Sequence, residues 1–251
     1  MTDAKEANTP SKKQPLTNEG ILKFLNEVYV KVTQGVGGVI PPIEKFAEDY
    51  LAKESDPRKA AERMIALQCT KSTISGFVTG FGGIITMPVT LPANITSVLA
   101  VQMRMIAATA YMAGYDITCD QVQTLVYACL AGVSVAEIVK KAGIQFGVKF
   151  GKHLVKKIPG KVLVKIKQKV GFRFLTKFGT KGVINIGKMI PVIGAIIGGG
   201  FDLAETSIIG KRAVKMFFDE DFSVGTEVTE QEEEQAEAIE KEQIETFGAV
   251  E

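Results

Sequence analysis

Apolar residues recur along this chain at helical intervals. Leu22, Leu25, Val28, Tyr29 and Val32 share one face of a helix, and "GVGGVIPP" at 35–42 ends it, because glycine and proline both oppose continuation. A short helix is predicted from Ile43 to Lys53. Asp56-Pro57 joins an N-cap to a proline at the first helical position, so another helix starts there and carries Met64 and Leu67. After a loop holding Asp116, the spacing of Val122, Leu125, Val126, Cys129, Leu130 and Val133 predicts an amphipathic helix. The basic region that follows has helical repeats separated by "IPGK" and "FGTKG". No segment alternates with period two, so the predicted class is all-α: a multi-helix bundle with two glycine-rich apolar helical hairpins.

The first hairpin is a stretch without charge, Ser72 to Met103, thirty-two residues long. Pro88 and Pro92 turn the chain at "MPVTLP", and Asn94 to Gly114 forms the second arm. The first arm, sixteen residues, reaches about 24 Å, short of the roughly 30 Å of a hydrocarbon core. The second carries Arg104, which at bilayer centre costs about 2.5–3.5 kcal/mol unless it is paired. The second apolar run, Ile184 to Phe218, contains Lys188, Pro191 and Asp202. Small residues line both hairpins: Gly76 and Gly80, Ala100 and Ala107, Gly194 and Gly198 recur at intervals of four or seven and are the candidate helix-packing positions. Contact with a bilayer is favoured, because glycine costs helix propensity that a close contact must offset. A soluble core packed on the same seams is the alternative.

Composition leaves that choice open. Mean hydropathy is +0.15 and 46% of residues are apolar, between an ordinary soluble chain and a polytopic membrane protein. Cys69, Cys119 and Cys129 form no CxxC pair and read as reduced, small hydrophobes of the cytosol. The polar residues 1–18 have no apolar core of a signal peptide and are expected to be a disordered leader, with a helical domain over 19–218.

Charge changes the picture more. Residues 219–251 hold thirteen acidic residues against one lysine, whereas Lys140 to Lys188 holds fourteen Lys or Arg and no acid. Within that basic region Val162, Ile166, Val170, Phe174 and Phe178 step by four, beside Lys161, Lys165, Lys169, Arg173 and Lys177. An apolar stripe edged with cations has the form of a helix lying on an anionic membrane, so these five basic residues are the lipid-binding candidates. An ordinary bundle helix with a solvated lysine face is the alternative. Nucleic acid is not expected, since the interleaved apolar residues are too many for a phosphate-tracking face. The acidic tail is expected to be largely disordered or marginally helical; a sharper expectation is that it folds over the basic region and competes with anionic lipid.

Chemistry is hard to find. His153, the one histidine, stands among lysines with no evident partner for catalysis or metal. HExxH, GxSxG, GxxxxGK[ST] and GxGxxG are absent, so no catalytic, metal or cofactor residue is assigned. Arg104 must be paired wherever it is buried, and Asp202 and Glu205 are the expected partners. Asp116, after Gly-Tyr, is expected to fix a loop.

Two stretches carry a resemblance. "STISGFVTGFGGIITMPVTLPANITSVLAVQMRMIAATAYMAGYD" (72–116) and "IPVIGAIIGGGFDLAETSIIGKRAVKMFF" (190–218) resemble the EcsC protein family, over roughly residues 40–218. The matching positions include Gly76, Gly80, Gly83, Pro88, Pro92, Arg104 and Gly114-Tyr115-Asp116 in the first stretch. In the second they include Pro191, Gly194, Gly199, Gly210, Arg212 and Ala213. The resemblance implies a bacterial, cytoplasmic or membrane-associated protein, since the family's founding member is encoded beside the subunits of an ABC exporter. It implies no activity and no cofactor, so no catalytic residue is carried over. The expected function is that of a non-enzymatic helical protein on the cytoplasmic side of the membrane. Its expected partners are anionic lipid, an ABC transporter or other membrane protein, or a second copy of itself. A soluble protein-interaction module is the alternative, and an enzyme of unrecognised type a third.

Overall fold

A computed structural model describes residues 15–37, 40–69, 93–143, 151–179 and 201–248. Among these there are ten helices and no strand. The first three are α1 (Asn18–Gln34), α2 (Ile43–Leu51) and α3 (Pro57–Gln68). The local chemistry of the sequence explains their starts. Thr17 caps α1 by accepting from Gly20 N at 3.0 Å, and Asp56 caps α3 by accepting from Arg58 N at 2.9 Å, with Pro57 in the first turn. The rest are α4 (Ala93–Met112), α5 (Asp120–Ala131), α6 (Val135–Lys141), α7 (Lys152–Val155), α8 (Gly160–Phe178), α9 (Phe201–Phe218) and α10 (Glu230–Gly248).

Two helices organise the packing. α4 touches α1, α2, α3, α5 and α9, and 89% of the residues in Ile95–Met112 are buried by them. The helix is long and apolar enough to cross a membrane, yet here its apolar surface is consumed on all sides by protein. Ala100 and Ala107 are fully buried on it, as a close-packed seam requires. The other arm positions, Gly76, Gly80, Gly194 and Gly198, lie outside the described residues. α8 is the second hub and meets α1, α5, α6 and α10. Its apolar stripe faces inward: Val162, Ile166 and Val170 are fully buried.

The acidic tail, expected to be largely disordered or marginally helical, holds the helix α10 and contributes to the core. Phe222 and Val228 are buried in the core, and residues 222–226 run beside the turn after α5. There Thr226 N donates to Gly132 O at 2.9 Å and Ser134 N donates to Thr226 O at 3.0 Å. Gly132 makes this possible in two ways. Its φ of +73° is open to glycine with little strain, and a side chain there would stand 3.1 Å from the Arg212 guanidinium. Beyond this clamp α10 lies along α8, burying Ala236 and Ile239. Ala236 and Ile239 share one helix face with the buried Gln243; that narrow stripe, hidden among glutamates, is enough when the opposing helix is cationic.

Candidate functional site

The basic residues of α8 form a row that winds rather than a face. Each i+4 step on an α-helix advances by about 40°, so a row of five rotates through roughly 160°. Lys161 and Lys165, at its start, are exposed. Val164 sits between them 65% exposed, and Lys157 and Gln168 extend the same open face. Lys169 and Arg173 have turned beneath α10. Lys169 pairs with Glu233, and Arg173 Nε lies 3.3 Å from Glu232 Oε1. Arg173 also donates to Thr226 Oγ1 at 2.9 Å and to the Glu227 carbonyl at 3.0 Å. Burial pulls its pKa below the ordinary arginine value, and Glu232 opposes that pull. Lys177 has turned further and pairs with Glu205 on α9.

This corrects the picture of an amphipathic helix lying apolar face down on lipid. The stripe from Val162 to Phe174 is protein core, packed on α1 and α5. Of the five lipid-binding candidates, Lys161 and Lys165 stay open to a surface, while Lys169, Arg173 and Lys177 are already held by carboxylates. Lys152, His153 and Lys156 are exposed nearby in sequence on α7 and its C-terminal turn, and Lys156 lies 3.1 Å from Asp116. Asp116 accepts from Thr118 N and Oγ1 at 3.1 and 2.6 Å, so it fixes its loop as expected; the Thr118 hydroxyl, then Lys156, holds its carboxyl below the ordinary range.

Arg104 does not pair with Glu205, which is engaged by Lys177; the Asp202 side chain lies outside the described residues. Arg104 is 2% exposed and instead serves the backbone. Nη1 donates to Val32 O and Nη2 to Pro41 O, both at 2.7 Å, and the guanidinium stands 4.5 Å over the Phe46 ring. Val32 lies in the last turn of α1, where carbonyls lack helical partners and carry partial negative charge. The fork thus satisfies two acceptors without a carboxylate. Desolvation pulls its pKa down to about 10, so it stays charged at neutral pH.

Sequence reasoning did not single out the place where Arg173, Lys177, Glu205 and Arg212 come together. They line a cavity of about 220 Å³ between α4, α5, α8 and α9. Glu205, Ile209 and Arg212 occupy one face of α9, at intervals of four and three. Gln102 on α4 also lines the cavity and donates to Thr206 at 3.1 Å. Arg212 Nη1 donates to Cys129 O at 2.8 Å, in the last turn of α5, where a cation meets the negative end of the helix. The signal in the sequence was Glu205 and Arg212 seven residues apart, two helical turns on one face.

The remaining chemical groups are plain. Cys129 is fully buried, and burial pushes its thiol up to about 12; Cys69 and Cys119 are half-buried. Among the described residues no three of His, Cys, Asp and Glu gather closely enough to hold a metal ion.

Comparison with curated proteins and with solved structures gives no match. A family model, that of the EcsC protein family, matches residues 44–218, from the second residue of α2 to the last of α9. That span takes in the α4 hub, Arg104, the cavity and the whole basic helix, and the chain belongs to the EcsC protein family.

Proposed function

We propose that this protein is a non-enzymatic peripheral component of the cytoplasmic face of a membrane, held to anionic lipid by the open end of α8. The observation that supports this reading is Val164, 65% exposed between the exposed Lys161 and Lys165, with Lys157 one turn before them. An apolar side chain flanked by lysines suits the boundary between headgroups and acyl chains. Each lysine near an anionic surface contributes about 1 kcal/mol, so three give weak, reversible, salt-sensitive binding. A membrane transporter or second copy of the chain that binds nearby adds to such an attachment. Hairpin insertion would fall to segments 70–92 and 180–200, which lie outside the described residues.

The competing reading is a soluble helical interaction module, favoured by the 89% burial of the longest apolar stretch in α4. Vesicle flotation separates the two. With full-length protein and vesicles containing phosphatidylglycerol, the membrane reading requires co-flotation at low salt and release at high salt. Lys161→Glu with Lys165→Glu should abolish it, since both positions are exposed and their charges are not needed for folding. Protein that ignores anionic vesicles leaves the soluble module standing.

A further inference from the structure

The cavity between α4, α5, α8 and α9 is not accounted for by a surface that binds lipid headgroups. Its charges are unequal. Three cations, Arg173, Lys177 and Arg212, line it with one acid, Glu205. Lys177 pairs with Glu205, and Arg173 with Glu232 from α10. Among the described residues no carboxylate pairs with Arg212; its hydrogen bond goes to the neutral carbonyl of Cys129. One positive charge is therefore in surplus at the edge of the cavity. A guanidinium presents five donors in a planar fork, and one bond to a carbonyl leaves most of them for a second acceptor.

Apart from Gln102, the rest of the wall is apolar. Leu99 from α4, Leu130 and Ala131 from α5, and Ile209 from α9 face the same space. Ile208, also in the lining, is 57% exposed, so the cavity opens to solvent beside it. A few polar groups converging at one end of an apolar pocket is the general form of a small-molecule site.

We propose that this cavity binds a medium-chain aliphatic monocarboxylate, with its carboxylate on the Arg212 guanidinium and its chain along Leu99, Leu130 and Ile209. The single surplus charge matches a monoanion; a phosphate monoester, at about −1.5 to −2, exceeds it. Size sets the chain. A space of about 220 Å³ that opens to solvent at one side takes a chain of medium length. That corresponds to the chain of octanoate with its carboxylate at the charged end. The inference is independent of the surface reading, because neither Lys161 nor Lys165 lines the cavity.

Titration calorimetry of full-length protein with sodium octanoate, below its micelle concentration, tests it, with 1-octanol and acetate as controls. Octanoate is expected to bind at one site per chain, at least tenfold more tightly than either control. Ala131→Phe, which fills the cavity and leaves every charge in place, should weaken it at least tenfold. Arg212→Gln should do the same, but it also removes the cap on α5, so Ala131→Phe is the deciding variant. Lys161→Glu with Lys165→Glu should leave octanoate binding unchanged even as it removes vesicle binding. Absence of octanoate binding, equal binding of 1-octanol, or unchanged affinity in Ala131→Phe each overturns the proposal.

Discussion

Arg104 on α4 donates Nη1 to the carbonyl of Val32 across 2.7 Å, in the last turn of α1. The bond joins the most buried helix of the bundle to the end of its first helix. With the second bond to Pro41, it holds both sides of the turn between α1 and α2. A charge that looks misplaced in an apolar arm is in this way the fastener of a backbone bend.

Two carbonyls depend on that fork, and each buried acceptor left unsatisfied costs about 1–3 kcal/mol. Arg104→Gln should lose about 3 kcal/mol or more in urea unfolding, the lost ring contact with Phe46 included. Arg104→Lys keeps the charge but cannot serve both carbonyls in the same geometry, and should lose about half as much. Equal stability of the lysine variant and the parent would show that charge alone, not the fork, matters there.

Gly210 on α9 marks a close crossing with α3. A Cβ built at Gly210 would lie 2.4 Å from Ile65 Cγ2, closer than real atoms approach. Gly210→Ala is therefore expected to destabilise by about 1–3 kcal/mol despite the better helix propensity of alanine. The cost should be coupled to its neighbour: combined with Ile65→Ala, the two substitutions should cost less than the sum of each alone. Additive costs would place the strain elsewhere.

α10 holds two of the five basic residues that were candidates for lipid. Glu232→Gln with Glu233→Gln should leave Arg173 and Lys169 without their carboxylates and raise binding to anionic vesicles several-fold at low salt, chiefly through Lys169, since Arg173 keeps its bonds to Thr226 and the Glu227 carbonyl. Removing residues 220–251 outright is a poor test, because Phe222, Val228, Ala236 and Ile239 belong to the core. Truncation is expected to lower stability before it reveals any surface. Unchanged vesicle binding in the double glutamine variant would show that α10 does not compete with lipid.

The three thiols should differ in reactivity. Cys129 is fully buried with its thiol pushed up to about 12, so a thiol reagent at pH 8 should leave it unmodified until the protein unfolds. Cys69 and Cys119, half-buried, should react earlier. Mass spectrometry of partly labelled protein reads the order directly, and early modification of Cys129 would contradict its burial beside the Arg212 cap.

The start of α3 was legible because it rests on local chemistry. The Asp56 cap, read from Asp56-Pro57, acts within two residues of itself, whereas the Thr17 cap of α1 was not singled out. The 3.6-residue period, visible in Leu25, Val28 and Val32 or in Leu125 and Cys129, marked which faces go inward, and those residues are fully buried. Family membership was legible too, from the proline turn, the lone arginine and the "GKRA" segment. The site was far less legible. Glu205 and Arg212 lie on one helix, but their neighbours Arg173 and Lys177 come from another, and no periodicity within one helix can say which other helix it will face.

What the sequence determined by itself was the helical class, the apolar stripes of several rods, the capped start at Asp56 and the charge imbalance between the basic segment and the tail. All of these follow from interactions that reach only a turn or two along the chain. The tertiary structure alone decided who meets whom. It gave Arg104 carbonyls in place of a carboxylate, and it turned the α8 stripe toward protein instead of lipid. It also chose, within the tail that charge had already placed near the basic region, Glu233 for Lys169 and Glu232 for Arg173. Each of those outcomes is a competition between distant groups for the same buried surface or the same charge, settled by geometry that exists only once the helices have packed.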